Sequence, residues 1–405
     1  MFSVSKMRKL TALSVVAILS LALVSGCGAK EASGDQGAAK TQEAGTEEKD
    51  AAKAAEKQQA PEDKTEDKAA AGSEASEEED PINEIFTLGD DDAILKAGMV
   101  SDVAGINDQS FNQSAWEGMK FLNLNVGARV SYIEAGSEAE FERDLDMLTA
   151  AGNEICWGVG YKFADAVLAA AKSHPDTHYG IVDYAYDDIP ENVTCALFRA
   201  QEPSFLAGYI AARVSKTGKV GFVGGMDVDT LRAFQYGYMG GVALADRECG
   251  TKTEVVTDYI GSFEDSYKGM TTADSMYAGG CDVIFHAAGG AGEGVIDSAK
   301  NNNKFVIGVD CDQSYLAPDN VLTSVVKRVD VILANISVQY GMRDNIGGKG
   351  LEYGLAEHAL EIPPEHPNYS DEIYDDAMEV RGRIVSNEIM VPYDETTYNE
   401  FMTEE

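Results

Sequence analysis

Hydrophobic and polar positions along the chain fall into two regimes, and the change comes near Ile82. Beyond it, short runs rich in Val, Ile and aromatic residues alternate with stretches whose apolar residues recur every three to four positions. The first kind predicts strands at 95–100, 128–134, 154–159, 178–182, 194–198, 219–224, 253–259, 281–285, 305–309 and 321–325. The second predicts helices at 110–124, 138–151, 163–173, 203–216, 230–247, 265–278 and 292–301. This β–α rhythm predicts an α/β fold of parallel sheets covered by helices on both faces. Roughly 320 residues is more than a single core usually organises, so two lobes are expected. We place the first at 82–198 with about 313–345, and the second at 199–312 with about 346–405. In open parallel sheets, solutes bind beyond the carboxyl ends of the strands, so the loops after strands are where chemistry belongs.

Before Ile82 the pattern is different. Lys6, Arg8 and Lys9 precede an apolar stretch from Leu10 to Val24, which has the length and flanks of a secretory signal over residues 1–26. Val24-Ser25-Gly26-Cys27 follows and resembles the lipobox of bacterial lipoproteins, in which the cysteine is acylated and becomes the first mature residue. An ordinary cleaved signal with an incidental cysteine is the alternative. Residues 28–80 contain no Leu, Ile, Val, Met or aromatic side chain. Such a segment buries too little apolar surface to offset its ordering entropy, so 27–81 is expected to be a disordered acidic tether.

Charge narrows the partners. The chain carries 32 Lys and Arg against 69 Asp and Glu, a formal net charge of −37, with no basic cluster outside the signal. Long-range repulsion disfavours nucleic acid and nucleotides, whereas a neutral small solute meets no such penalty. After Cys27, Cys156, Cys195, Cys249, Cys281 and Cys311 show no CxxC spacing and are odd in number, so small apolar core residues are expected rather than a disulfide framework. The five histidines form no metal-ligand spacing, and neither a GxSxG nor a P-loop occurs. No catalytic residue, metal or cofactor is predicted.

The strand-end loops carry the unusual residues. After the first strand, Asp102 is followed by Ser110, Phe111, Asn112 and Gln113; Ser110 and Gln113 fit a capping box that starts a helix near Ser110. This puts Phe111 and Asn112 in the first helical turn, with Asp102 at the strand end. A flat ring beside a carboxylate and a carboxamide suits a planar, hydrogen-bonding heterocycle. From these residues alone, a core Phe and a turn-forming Asp are the favoured alternative. Asp183 ends another strand, where it reads as an acceptor or as a turn cap. Phe234 lies near the start of a helix of the second lobe and Phe263 just after a strand, one of them expected in packed core. The run from His286 to Gly294 resembles a dinucleotide fingerprint, but Gly290, Gly292 and Gly294 read GxGxG and lie deep in the chain. What remains is that Gly290 permits close approach of a ligand and that Asp310, at the end of the next strand, can take two ribose hydroxyls. Lys327 follows a later strand, either beside Asp310 or as a solvated helix-start residue.

Taken in order, the segments SDVAGINDQSFNQSAWEG, GVGYKFADA, SFLAGYIAA, VGFVGGM, DVIFHAAGGAGEGV, VIGVDCDQ and LTSVVKRVD closely resemble the basic membrane protein family, the nucleoside-binding lipoproteins similar to purine nucleoside receptor A. The resemblance runs from about Lys96 to Asn335, and RGRIVSNEIMVP resembles that family's closing strand. It implies a type I periplasmic-binding fold, two Rossmann-like lobes joined by a hinge. It further implies a monomer on the outer face of the cell membrane, anchored through acylated (palmitoylated) Cys27, that captures a purine nucleoside for an ABC transporter permease. By position, Asp102, Phe111 and Asp183 match the family's base-side residues, with Asn112 beside them. Phe234, Phe263, Gly290, Asp310 and Lys327 match those of the other lobe. Tyr161 stands where relatives often carry Phe. Alternatives left open are another small solute, such as a sugar or signalling molecule, and a surface signalling role without import.

Overall fold

The computed structural model describes residues 84–403, which lie in one unit beginning at Asn83. The signal segment, Cys27 and the tether fall outside the described residues. In chain order the elements are β1 (Phe86–Leu88), β2 (Lys96–Ser101), α1 (Phe111–Phe121), β3 (Arg129–Glu134), α2 (Phe141–Ala150), β4 (Ile155–Gly158), α3 (Ala164–Ser173), β5 (His178–Val182) and β6 (Val193–Phe198). There follow α4 (Gln201–Val214), β7 (Lys219–Gly224), α5 (Asp229–Cys249), β8 (Glu254–Tyr259), α6 (Ser266–Ala278), β9 (Val283–Ala287), α7 (Gly292–Asn302), β10 (Phe305–Asp310) and β11 (Val321–Lys327). The chain ends with α8 (Val329–Gly341), β12 (Lys349–Tyr353), β13 (Leu360–Glu361), α9 (Asp371–Val385) and α10 (Glu395–Thr403).

Two sheets result, ordered β1-β3-β2-β4-β5-β6-β12 and β13-β11-β10-β9-β7-β8. All pairings are parallel except those of the edge strands β1 and β13. Central strands such as β4, β5, β9 and β11 are buried along their whole length, which is why they read as continuous apolar runs. The edges β1, β8 and β12 are largely exposed. In the first sheet, α1 and α8 pack on one face and α2 and α3 on the other. The second sheet is covered by α4, α5, α9 and α10 on one face and by α6 and α7 on the other.

The predicted strands and helices are present, with ends moved by one or two residues in most cases. Two expectations are corrected. The return to the first lobe lies after Lys327, not at 313, because β11 pairs in parallel with β10 of the second sheet. The first lobe then keeps α8 and β12, which pairs with β6, so the final crossing lies between Tyr353 and Leu360 rather than at 346. In addition, RGRIVSNEIMVP is no strand: Arg381–Val385 closes α9 and the remainder is turn and coil. Ala377, Val380 and Ile384 recur at helical spacing and are buried against the second lobe, and that burial selects the helix.

The chain therefore crosses between lobes three times, near 198–201, 327–329 and 353–360. These segments bond to one another through Arg199 N–H to the Tyr353 carbonyl (2.8 Å) and Arg328 N–H to the Ala359 carbonyl (2.8 Å). Among the described residues no helix is long and apolar enough to cross a membrane.

Candidate functional site

The carboxyl ends of both sheets face one cleft, which encloses about 680 Å³ of space including its mouth. All nine sequence-predicted residues line it: Asp102, Phe111, Asn112 and Asp183 from the first lobe, and Phe234, Phe263, Gly290, Asp310 and Lys327 from the second.

Its centre is a buried charge cluster. Lys327 is the last residue of β11 and only 2% exposed, so it is no solvated helix-start residue. Its ammonium donates to Asp183 Oδ2 across the cleft, and sits over the rings of Phe111 (4.8 Å), Phe198 (4.8 Å) and Phe234 (6.0 Å). Three aromatic faces thus share the desolvated cation with one carboxylate. Asp310 is buried and accepts a hydrogen bond at Oδ2 from the Ser110 hydroxyl. Burial raises its carboxyl above the ordinary value, against the pull of Lys327 and Ser110. Asp183 (φ +64°) and Asp310 (φ +65°) both turn left-handed where their strands end. Few side chains adopt that conformation, and Asp is among those that do so readily.

The opposite wall is built by the loop after β2. Asp102 Oδ1 accepts from the Asn112 side-chain amide (2.8 Å) and from Ala104 N–H (3.1 Å). Because a carboxylate only accepts, the Asn112 NH₂ must face it. Asn112 Oδ1 is then left buried with no partner among the described residues. Burial raises the Asp102 carboxyl, and the Asn112 bond opposes that rise. The predicted capping box does not form, since the Ser110 side chain makes no cap bond. Asp108 caps α1 instead, accepting from the backbone N–H of Ser110 (3.0 Å), Asn112 (2.9 Å) and Gln113 (3.0 Å). Burial, set against these three donors, brings its carboxyl to about 7.

Phe234 and Phe263 divide as expected. Phe234 is 3% exposed and packs toward Phe285 (6.3 Å between ring centres), while Phe263 is only partly buried. Phe111 and Phe263 both border the Gly160–Lys162 loop. A Cβ on Gly160 would stand 3.5 Å from the Phe111 ring, and the Lys162 ammonium lies 5.5 Å from the Phe263 ring centre. Lys162 also pairs with Glu138 (3.1 Å). Burial works against its charge, but that bond and the carboxylates of Asp102 and Glu264 prevail and raise its pKa.

The glycine run serves packing. A Cβ on Gly292 would fall 2.2 Å from the His286 ring, and one on Gly294 would fall 1.8 Å from the Ser266 carbonyl oxygen of α6. These two glycines let α7 seat against its neighbours, which accounts for the spacing without a phosphate. Gly290 has only ordinary contacts, the nearest being the Phe263 carbonyl at 3.4 Å and Asp108 Cβ at 3.7 Å. Sequence reading missed Asp108, Ser110, Lys162 and Phe198 as site components. Asp108 and Ser110 lie within the 101–118 segment, but Phe198 shows only as the last residue of an apolar strand.

The residues can enclose a flat, uncharged solute and accept hydrogen bonds from it. Among the described residues no group of His, Cys, Asp and Glu is arranged to hold a metal ion. Cys156, Cys195 and Cys281 are buried free thiols.

Comparison with known proteins agrees with this architecture. Residues 95–395 match the family model described as ABC transporter substrate-binding protein PnrA-like. The chain is 39% identical over 317 residues to basic membrane protein A of Borreliella burgdorferi, covering 77% of this chain and 91% of that protein. It is 36% identical to a CD4+ T-cell-stimulating antigen of Listeria monocytogenes, covering 73% and 87%. Among solved structures, an ABC transporter solute-binding protein from Aeropyrum pernix superposes with a TM-score of 0.68 at 28% identity, over 76% of this chain and 96% of that one. The fold is that of the type I periplasmic-binding proteins, and the chain belongs to the PnrA-like family of ABC transporter substrate-binding proteins.

Proposed function

We propose that the solute is a purine nucleoside, captured between the lobes and handed to the membrane permease of an ABC importer. One observation carries this reading: aromatic rings from both lobes, Phe111 and Phe263, border the same cleft as Asp310 and Lys327. The rings suit the two faces of a base, and Asp310 suits the hydroxyls of a ribose. The lining holds four carboxyl groups (Asp102, Asp108, Asp183, Asp310) against two ammonium groups (Lys162, Lys327), an excess of two acids that disfavours a phosphate. Aromatic contacts of about 0.5–1.5 kcal/mol and charged hydrogen bonds of about 1.5–3 kcal/mol each accord with micromolar or tighter affinity. The role is one of binding rather than catalysis, exercised outside the cell from a lipid anchor at Cys27.

Titration calorimetry with adenosine, guanosine, inosine, cytidine and ribose tests the reading. Heat from the purine nucleosides, lost in Asp310→Ala, is the expected result; heat from ribose alone, or from none of them, defeats it. Labelling with radioactive palmitate, abolished by Cys27→Ala, tests the anchor.

A further inference from the structure

The two lobes are joined beside the cleft by a set of direct hydrogen bonds between protein groups. On the first lobe they come from two consecutive residues, Gln109 and Ser110. Gln109 is held left-handed (φ +53°), which turns its carbonyl toward the second lobe. That carbonyl accepts from Gln313 Nε2 (3.0 Å) and from the Cys311 thiol (3.2 Å), and its side-chain Oε1 accepts from the Tyr315 hydroxyl. Ser110, wholly buried, donates its hydroxyl to Asp310 Oδ2.

The receiving surface is rigid. Gln313 is completely buried, and its Oε1 accepts from Val309 N–H (3.0 Å) and from His286 Nε2 (3.0 Å) while its own N–H donates to Ser324 Oγ (3.1 Å). With every polar group of Gln313 engaged, its NH₂ has one direction left, toward Gln109. The Ser110 bond has a consequence for the site itself. It occupies one carboxylate oxygen of Asp310 and leaves Oδ1 as the oxygen available to a solute.

We propose that Gln109 and Ser110 are positioning residues: they latch the lobes together without solute and orient Asp310, so that the solute-facing carboxylate exists only in the latched form. Solute then meets a preorganised acceptor, and less of its binding energy goes into closing the cleft. The latch does not depend on which solute the cleft takes.

Hydrogen-exchange mass spectrometry on the full chain reads this directly. In the solute-free parent, peptides spanning 102–116 and 309–316 are expected to exchange slowly, close to their rate with adenosine present. In Ser110→Ala/Tyr315→Phe those peptides are expected to exchange about tenfold faster, while peptides of β4 and β9 keep the parent rate. Ser110→Thr, which keeps the hydroxyl, should restore slow exchange when combined with Tyr315 unchanged. The same double variant should bind adenosine about tenfold more weakly. Equal exchange of parent and double variant without solute overturns the latch, as does failure of Ser110→Thr to restore it. A chain that binds no nucleoside leaves the exchange result standing, so the two readings fail separately.

Discussion

Lys327, at the end of β11 in the second lobe, donates its buried ammonium to Asp183, at the end of β5 in the first. The pair ties the hinge segment after β11 to the cleft wall, with the rings of Phe111, Phe198 and Phe234 completing the enclosure. Removing one partner strands the other charge in a desolvated site. Lys327→Met is therefore expected to destabilise the protein by about 3–5 kcal/mol, and Lys327→Met/Asp183→Asn by clearly less than the single change. Denaturant unfolding of the parent, both singles and the double completes the cycle, and strict additivity would show that the pair is not energetically coupled.

Asp108 and Asp310 are both buried cleft carboxyls with different tasks. Asp108 caps α1 through three backbone bonds, so Asp108→Ala should cost about 1–2 kcal/mol of stability, with Asp108→Asn recovering much of it. Asp310→Ala should abolish nucleoside binding and, by leaving the buried Ser110 hydroxyl without its acceptor, cost about 1 kcal/mol or more of stability. Thermal melts and calorimetry on the three variants separate the roles; a strong binding loss with unchanged melting in Asp108→Ala would reverse the assignment.

The glycines after β9 are expected to part company. Gly294→Ala places a methyl 1.8 Å from a backbone carbonyl oxygen that cannot move aside cheaply, so a loss of about 3 kcal/mol or more is expected. Gly290→Ala meets its nearest neighbour at 3.4 Å and should melt within a degree or two of the parent. Gly290 lines the cleft, so an added methyl there is expected to weaken binding while stability holds.

Acid should act through two buried imidazoles. His286 donates Nε2–H to Gln313 Oε1, and its Nδ1 has no partner among the described residues; burial lowers its pKa to about 4. His178 donates to Thr194 Oγ1, whose own hydrogen goes to the Ile346 carbonyl, and burial lowers it to about 4 as well. Both are neutral in the fold and charge more readily when unfolded, near 6.5. The stability they contribute is whole above pH 6.5 and is lost as pH falls from there toward 4, up to about 3 kcal/mol for each. The raised carboxyls of Asp102, Asp108 and Asp310 act with the opposite sign. The test is therefore a difference: between pH 6.5 and 4.5, His286→Gln should lose less stability than the parent, and parallel pH profiles would refute the assignment.

The sequence by itself determined the order and type of the main elements, because burial on both faces of a parallel strand and on one face of a helix writes a local period into the chain. It also located the loops after strands as the place for a solute, but the residues alone left Phe111, Asp183 and Lys327 open between site and packing roles, and the family resemblance supplied the set of nine. Edge strands such as β1, β12 and β13 left no comparable trace, since they are short, partly exposed and defined by the neighbour they pair with. Only the tertiary structure decided the partners. Ser110 read as a helix cap from residues within four positions, yet its hydroxyl goes to Asp310, 200 residues away, and the cap falls to Asp108. Lys327 read either as a neighbour of Asp310 or as a solvated helix-start residue; it acts electrostatically on Asp310, but its direct bond goes to Asp183, 144 residues distant. Periodicity reports whether a side chain is buried. Which group meets it there depends on how two sheets are set face to face, and no local pattern encodes that distance.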